Sequence, residues 1–158
     1  MDELEERAYI FASIFALSNK LQVLGDAFDE NITIKQWLFA VCVAQFDEAP
    51  TLSEVARFIG YSRQNAKRIA LALQERGYII LEKDLNDARA LRITLTQQCR
   101  DYFAGRYHRE LEFLDRLFAG FDPALTGEFF RGLTRLAENI ERMSSDLFSE
   151  ENRYGEKE

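Results

Sequence analysis

Apolar residues return at helical spacing along most of this chain and at strand spacing in only one stretch. Ile10, Ile14, Leu17, Leu21, Leu24 and Phe28 follow one another at alternating intervals of four and three. That heptad-like stripe predicts one long helix from about Asp2 to Phe28. Asp29-Glu30-Asn31 breaks the pattern. Thr33 and Gln36 then have capping-box spacing and open a second helix through Trp37, Phe39, Val41 and Val43, which is apolar on most sides and therefore interior. A second capping box, Thr51 to Glu54 after Pro50, opens a helix carrying Leu52, Val55, Ala56 and Ile59. Gly60-Tyr61 makes a short turn, and Ser62 caps a helix from Arg63 to Arg76 with Ala66, Ile69, Ala70 and Leu73 facing inward. Gly77 stands at its stop position.

The period then changes. Tyr78 to Lys83 is rich in β-formers, Leu85-Asn86-Asp87-Ala88 supplies turn chemistry, and Leu91 to Leu95 alternates apolar with polar. Two strands about a polar tip form a β-hairpin. From Thr96 the helical period resumes through Phe103, Tyr107, Leu111, Leu114, Leu117 or Phe118, and Phe121. Asp122-Pro123 ends that helix and opens the last one, because Asp caps well and Pro suits the first helical position. Its stripe is Leu125, Phe129, Leu133, Leu136, Ile140, Met143 and Leu147.

The fold class expected is mainly α with a small β-hairpin wing: a winged helix-turn-helix flanked by N- and C-terminal dimerisation helices. The expected divisions are residues 1–32 (N-terminal dimerisation helix), 33–95 (winged helix-turn-helix), 96–149 (C-terminal linker and dimerisation helices) and 150–158 (a frayed charged tail). A core of residues 33–95 is too small to cover both terminal stripes, so a second copy of the chain is the expected partner.

Charge modifies this picture at one place. The chain carries a formal charge of −7, which on average disfavours nucleic acid. Residues 57–92, however, hold Arg57, Arg63, Lys67, Arg68, Arg76, Lys83, Arg89 and Arg92 against Glu75, Glu82, Asp84 and Asp87, a segment of +4 in a remainder of −11. Basic charge concentrated on a helix-turn-helix is an electrostatic footprint for phosphates. The second helix of such a motif must present long polar side chains to base edges from its first turn while its other face stays apolar. Ser62, Arg63, Gln64, Asn65, Lys67 and Arg68 meet that demand: Arg pairs bidentately with guanine and Gln or Asn with adenine, whereas Lys67 and Arg68 suit phosphates, which fix register. At the hairpin tip, Asp87 and Arg89 form the candidate wing, with Arg89 placed to enter a minor groove.

Little else in the composition supports chemistry. The N-terminus, Met1 to Glu6, is acidic rather than a signal or transit peptide, and no run approaches the roughly 20 apolar residues that span a bilayer. A cytoplasmic protein without membrane association is expected. One histidine, His108, no nucleophile motif and no Gly-rich phosphate loop give no basis for an enzyme, and no cofactor or metal is expected. Cys42 and Cys99 read as small apolar residues.

The residues Thr51-Leu-Ser-Glu-Val-Ala-Arg57, Ser62-Arg-Gln-Asn-Ala-Lys-Arg68, Leu73-Gln-Glu-Arg-Gly-Tyr78 and the wing Asp87-Ala-Arg89 leading to Leu95-Thr96 together resemble MarR-type (multiple antibiotic resistance regulator) transcription factors. Cys99 departs from the pattern, which often has Gly there. The resemblance implies a homodimer on double-stranded DNA, binding a pseudo-palindromic operator and usually repressing. It implies that Ser62 to Arg68 meet the major groove and Arg89 the minor groove, with Asp87 orienting Arg89 and Thr51 and Ser53 touching the DNA backbone from a helix N-terminus. It also implies that a small aromatic inducer can enter a cleft beside the dimer helices, for which Phe11, Phe15, Trp37, Tyr102 and Tyr107 are the candidate lining residues. The alternative is a winged-helix protein-interaction module that sequesters a partner regulator without binding DNA.

Overall fold

The computed structural model describes residues 2–85, 87 and 89–154, with side chains through residue 146. Among them are α1 (Glu3–Phe28), α2 (Ile34–Val43), α3 (Leu52–Ile59), α4 (Arg63–Glu75), β1 (Ile79–Lys83), β2 (Leu91–Leu95), α5 (Gln97–Leu117) and α6 (Pro123–Tyr154). The chain divides into two compact units, residues 1–106 and 107–158. No helix among the described residues is long and apolar enough to cross a membrane.

Local capping sets the helix starts. Asp2 accepts the Glu5 amide while Glu5 accepts the Asp2 amide, and Thr33 with Gln36 and Thr51 with Glu54 repeat the reciprocal pair, so each box satisfies two otherwise orphaned donors. Ser62 Oγ accepts the Asn65 amide at 3.2 Å. Asp122 Oδ1 accepts the Leu125 amide at 2.7 Å and starts α6. Thr96 Oγ1 accepts the Cys99 amide at 3.1 Å and donates to the Gly77 carbonyl at 2.7 Å, fixing the exit from β2 into α5. Left-handed glycines end α3 and follow α4: Gly60 has φ 79° and Gly77 has φ 74°, a conformation that a Cβ would strain.

The core of the first unit forms where α2, α3 and α4 meet the hairpin. Phe39, Val55, Leu73, Ile79 and Ile93 are fully enclosed, with Ala66, Ile69 and Ala70 from α4 and Cys99 from α5 beside them. Each large side chain so buried contributes about 1.5–3 kcal/mol. The four inward positions expected of α4 are all buried. β1 and β2 pair antiparallel in the register Ile79↔Leu95, Leu81↔Ile93 and Lys83↔Leu91. A third backbone segment joins the free edge of β2: the Ile93 amide donates to the Pro50 carbonyl at 2.9 Å, and Thr51 bridges Arg92. The hairpin is thereby tied to the entry of α3. At the hairpin tip, Asn86 and Ala88 lie outside the described residues.

The terminal helices are long and bury little. In α1 only Gly25 is buried, while Ile10, Phe11, Ile14, Phe15, Leu17 and Leu24 of its apolar surface are exposed. In the second unit, Leu125, Phe129, Leu133, Ile140 and Met143 of α6 are likewise exposed. The last stripe position, Leu147, lies outside the described side chains. α6 continues to Tyr154, past the expected start of a frayed tail at Glu150, and residues 155–158 lie outside the described residues.

One buried polar cluster ties the end of α1 to α5. Arg106 Nη1 lies 3.0 Å from Asp29 Oδ2, with the two side chains 9% and 6% exposed. The Tyr102 hydroxyl donates to the same carboxylate, and the Asn31 amide donates to its other oxygen at 2.8 Å. The Arg106 guanidinium stands over the Phe28, Tyr102 and Phe103 rings at 5.1–5.7 Å, in cation–π range. Arg76, which caps the end of α4, donates to the Asn31 carbonyl. Burial, and next the hydrogen bond to Asp29, push the Tyr102 phenol up to about 12. A folded-state pKa raised above the unfolded value of about 10 means stability present below pH 10 and lost as pH rises through the folded pKa. The stability advantage of the wild type over Tyr102→Phe should therefore be constant from neutral pH to about 9, then shrink towards pH 12. Urea unfolding of both proteins across that range checks it; a pH-independent difference would show that the hydroxyl does not titrate with the fold.

Candidate nucleic-acid interface

The first turn of α4 presents its polar residues because its inward positions are committed to the core. With Ala66, Ile69, Ala70 and Leu73 buried, Arg63, Gln64, Lys67 and Arg68 are exposed on the opposite face. Ser62 is exposed but spends its oxygen on the helix cap. Asn65 is half-buried and accepts Arg68 Nη2 at 3.1 Å, so this pair is partly engaged with itself. Arg63, Gln64 and Lys67 line a groove of about 470 Å³ together with Leu52, Ser53, Arg89 and Leu91. Residues of α4 and of the hairpin, far apart in sequence, thus share one concave surface. The Arg63 guanidinium also reaches the Arg89 carbonyl at 3.5 Å.

Of the two candidate backbone contacts, only Ser53 lines this groove. Thr51 is half-buried, and both its donors go to Glu54: the amide at 2.6 Å and the hydroxyl at 2.8 Å. Those bonds, the amide first, hold Glu54 below the usual carboxylate range. Thr51, expected at the DNA backbone, thus has its hydroxyl engaged in closing the α3 cap.

At the wing, Asp87 organises the turn more than it grips the Arg89 side chain. Asp87 Oδ1 accepts the Arg89 amide at 3.0 Å, whereas its distance to Arg89 Nε is 3.9 Å, with the side chains 62% and 96% exposed. Such an exposed pair is worth little in water. The firmer anchor lies deeper and was not singled out by sequence: Asp84, just past β1, is buried, accepts Arg92 Nε through Oδ2 and accepts the Asp87 amide through Oδ1 at 2.8 Å. Arg92 Nη1 in turn donates to the Ala49 carbonyl at 2.6 Å. Arg92, counted by sequence within the basic stretch, is a half-buried strut between Asp84 and the Ala49 carbonyl. The only sequence signal for it was an Asp and an Arg at the two ends of one turn.

The aromatic residues expected to line a ligand cleft do not converge within the first unit. Phe11 and Phe15 stack edge-to-face on exposed α1, with centroids 5.2 Å apart. Trp37 packs on the core. Tyr102 is committed to Asp29 and to the Tyr78 ring at 5.1 Å. These four side chains serve different surroundings, so they do not build one cleft in a single copy. Tyr107, at the start of the second unit, is exposed on α5, as is His108, which faces Glu112 at 3.2 Å. Cys42 and Cys99 are both buried, and burial pushes both thiols up, which disfavours the reactive thiolate.

Neither a protein-family model nor a curated protein matches this chain. Solved structures do. A MarR/EmrR family transcriptional regulator from Acinetobacter sp. ADP1 superposes with a TM-score of 0.75 at 19% identity, covering 86% of this chain and 97% of that one. A MarR transcriptional regulator from Methanosarcina mazei Go1 gives 0.77 at 20% identity, covering 86% and 99%. An organohalide-sensing transcriptional regulator in its 2,4-dichlorophenol-bound form gives 0.72 at 17%, covering 88% and 85%. At these identities the likeness establishes the fold: helices with a β-hairpin wing, arranged as in MarR-type winged-helix regulators.

Proposed function

We propose that this chain is a homodimeric, sequence-specific DNA-binding transcriptional regulator of the MarR type, acting as a repressor at a pseudo-palindromic operator. The observation that carries the reading is the shared groove of Ser53, Arg63, Gln64, Lys67 and Arg89. A recognition helix needs base-reading groups in its first turn, phosphate-binding cations one turn on, and a wing cation beside it. Arg63 and Gln64 supply the first, Lys67 and Arg68 the second, and Arg89 the third.

Dimerisation is supported by the apolar terminal helices. A 26-residue helix with one buried residue leaves most of its apolar stripe in water in a single copy, its packing confined to its last turns, and isolated helices are marginal in water. A second copy covering α1 and α6 removes that surface from water, and a two-fold axis relates the recognition helices to two half-sites about 34–36 Å apart. Release by a small aromatic ligand draws support from the dichlorophenol-bound neighbour rather than from any pocket among the described residues.

The test is a fluorescence-anisotropy titration with duplex from the region upstream of the protein's own gene, against a scrambled duplex, at several salt concentrations. Lys67 and Arg68 from each protomer would neutralise four phosphates, giving a log–log salt slope of about −4. Preference for the native duplex with a slope of that size supports the proposal. Weak binding to both duplexes with no salt dependence would refute it and favour a protein partner.

A further inference from the structure

We propose that Asp84 is the residue that positions the wing for DNA, acting through Arg92 and the Asp87 amide rather than by touching the duplex. The inference rests on the DNA-binding reading above. Asp84 is 6% exposed in its side chain, so it contacts no phosphate or base. Its two oxygens face two directions. Oδ2 takes Arg92 Nε, and Arg92 is fastened to the Ala49 carbonyl, immediately before the segment that enters α3. Oδ1 takes the Asp87 amide at 2.8 Å, and Asp87 Oδ1 takes the Arg89 amide at 3.0 Å. The backbone closes the same turn, with the Asp84 amide on the Ala90 carbonyl at 3.0 Å and the Ala90 amide on the Asp87 carbonyl at 2.8 Å.

The path therefore runs from the helix-turn-helix scaffold through Arg92 and Asp84 to the peptide that bears Arg89. Nothing along it depends on the Arg89 side chain, which projects almost fully into solvent. A cation on a loose hairpin samples many positions and loses conformational freedom on binding, whereas one on a tethered turn has less to lose. A buried carboxylate with a charge partner and an amide is a rigid tether, since breaking it strands a charge. Asp87, which the sequence nominated as the orienting acid, is the last link of this path rather than its anchor.

The test is a double-mutant cycle on the full-length protein. Affinity for the preferred duplex is measured for the wild type, Asp84→Ala, Arg89→Ala and the double variant, with thermal melts to verify folding. Asp84→Asn serves as the second variant should Asp84→Ala fail to fold, since it keeps the shape and an amide-accepting oxygen and removes the charge held by Arg92. If Asp84 acts through the wing arginine, its replacement lowers affinity about tenfold in the wild type and by less than about twofold in the Arg89→Ala background, because coupled residues are not additive. The same loss in both backgrounds, or no loss in either, overturns the proposal while leaving the DNA-binding reading intact. A folded wild type that binds no duplex overturns both.

Discussion

Arg63→Ala is expected to weaken binding to the preferred duplex about 30-fold or more and to flatten the discrimination between that duplex and one altered at the contacted base. Arg63 is the first residue of α4, and the Ser62 cap fixes the turn that presents it. It is exposed, lines the groove, and touches the Arg89 carbonyl only at the limit of hydrogen-bond reach. A bidentate arginine–guanine pair contributes about 1–3 kcal/mol of discrimination. A two-fold dimer makes it twice, so a loss of about 2–6 kcal/mol follows if the half-sites are independent. Lys67→Ala provides the contrast. Removing one phosphate-binding cation from each protomer lowers affinity for all duplexes alike and reduces the salt slope by about two. If Arg63→Ala instead behaves as Lys67→Ala should, with uniform weakening and unchanged preference, Arg63 binds phosphate and base reading lies with Gln64.

The largest effect on stability is expected at Arg106. Arg106→Ala leaves the Asp29 carboxylate, now 6% exposed, without its charge partner and removes a guanidinium packed among Phe28, Tyr102 and Phe103. Breaking one side of a buried pair costs about 3–5 kcal/mol, and for a chain of this size each kcal/mol lowers the melting midpoint by about 2–4 °C. The double variant Asp29→Leu/Arg106→Met should be less destabilised than Arg106→Ala, because no charge is left stranded. Differential scanning calorimetry of the three proteins decides it; a single-variant shift under about 2 °C would mean that the carboxylate finds water when its partner is removed.

What could be read from the sequence was local. Two capping boxes, at Thr33 and Thr51, the Ser62 cap and the glycine at Gly77 each depend on residues within a few positions, and each stands where its spacing placed it; the box at Asp2 was found only in the structure. The inward face of α4 and the hairpin followed from period alone. The groove was legible in part: Arg63, Gln64, Lys67, Arg89 and Ser53 were nominated, but their meeting on one surface depends on how the hairpin folds back over α4. For Thr51 the sequence leaves two roles open, since one hydroxyl can cap a helix or donate to a phosphate; the structure shows the cap to Glu54. The pairs Asp29–Arg106 and Arg92–Ala49 join residues 77 and 43 positions apart, and charge patterning gives no hint of partners at that range. The aromatic residues Phe11, Phe15, Trp37, Tyr102 and Tyr107 were legible only as residues on helix faces: helical spacing tells which face they share on one helix, not which helix they meet.

The most direct test of the central claim is selection of duplexes from a random pool by the full-length protein, followed by sequencing of the bound fraction. Two copies of α4 held by a two-fold axis predict enrichment of an inverted repeat whose half-site centres lie about 10–10.5 base pairs, or a multiple of that, apart. Enrichment of an unrepeated motif would contradict the dimeric arrangement, and recovery of no motif at all would contradict the assignment of α4 as a helix that reads DNA.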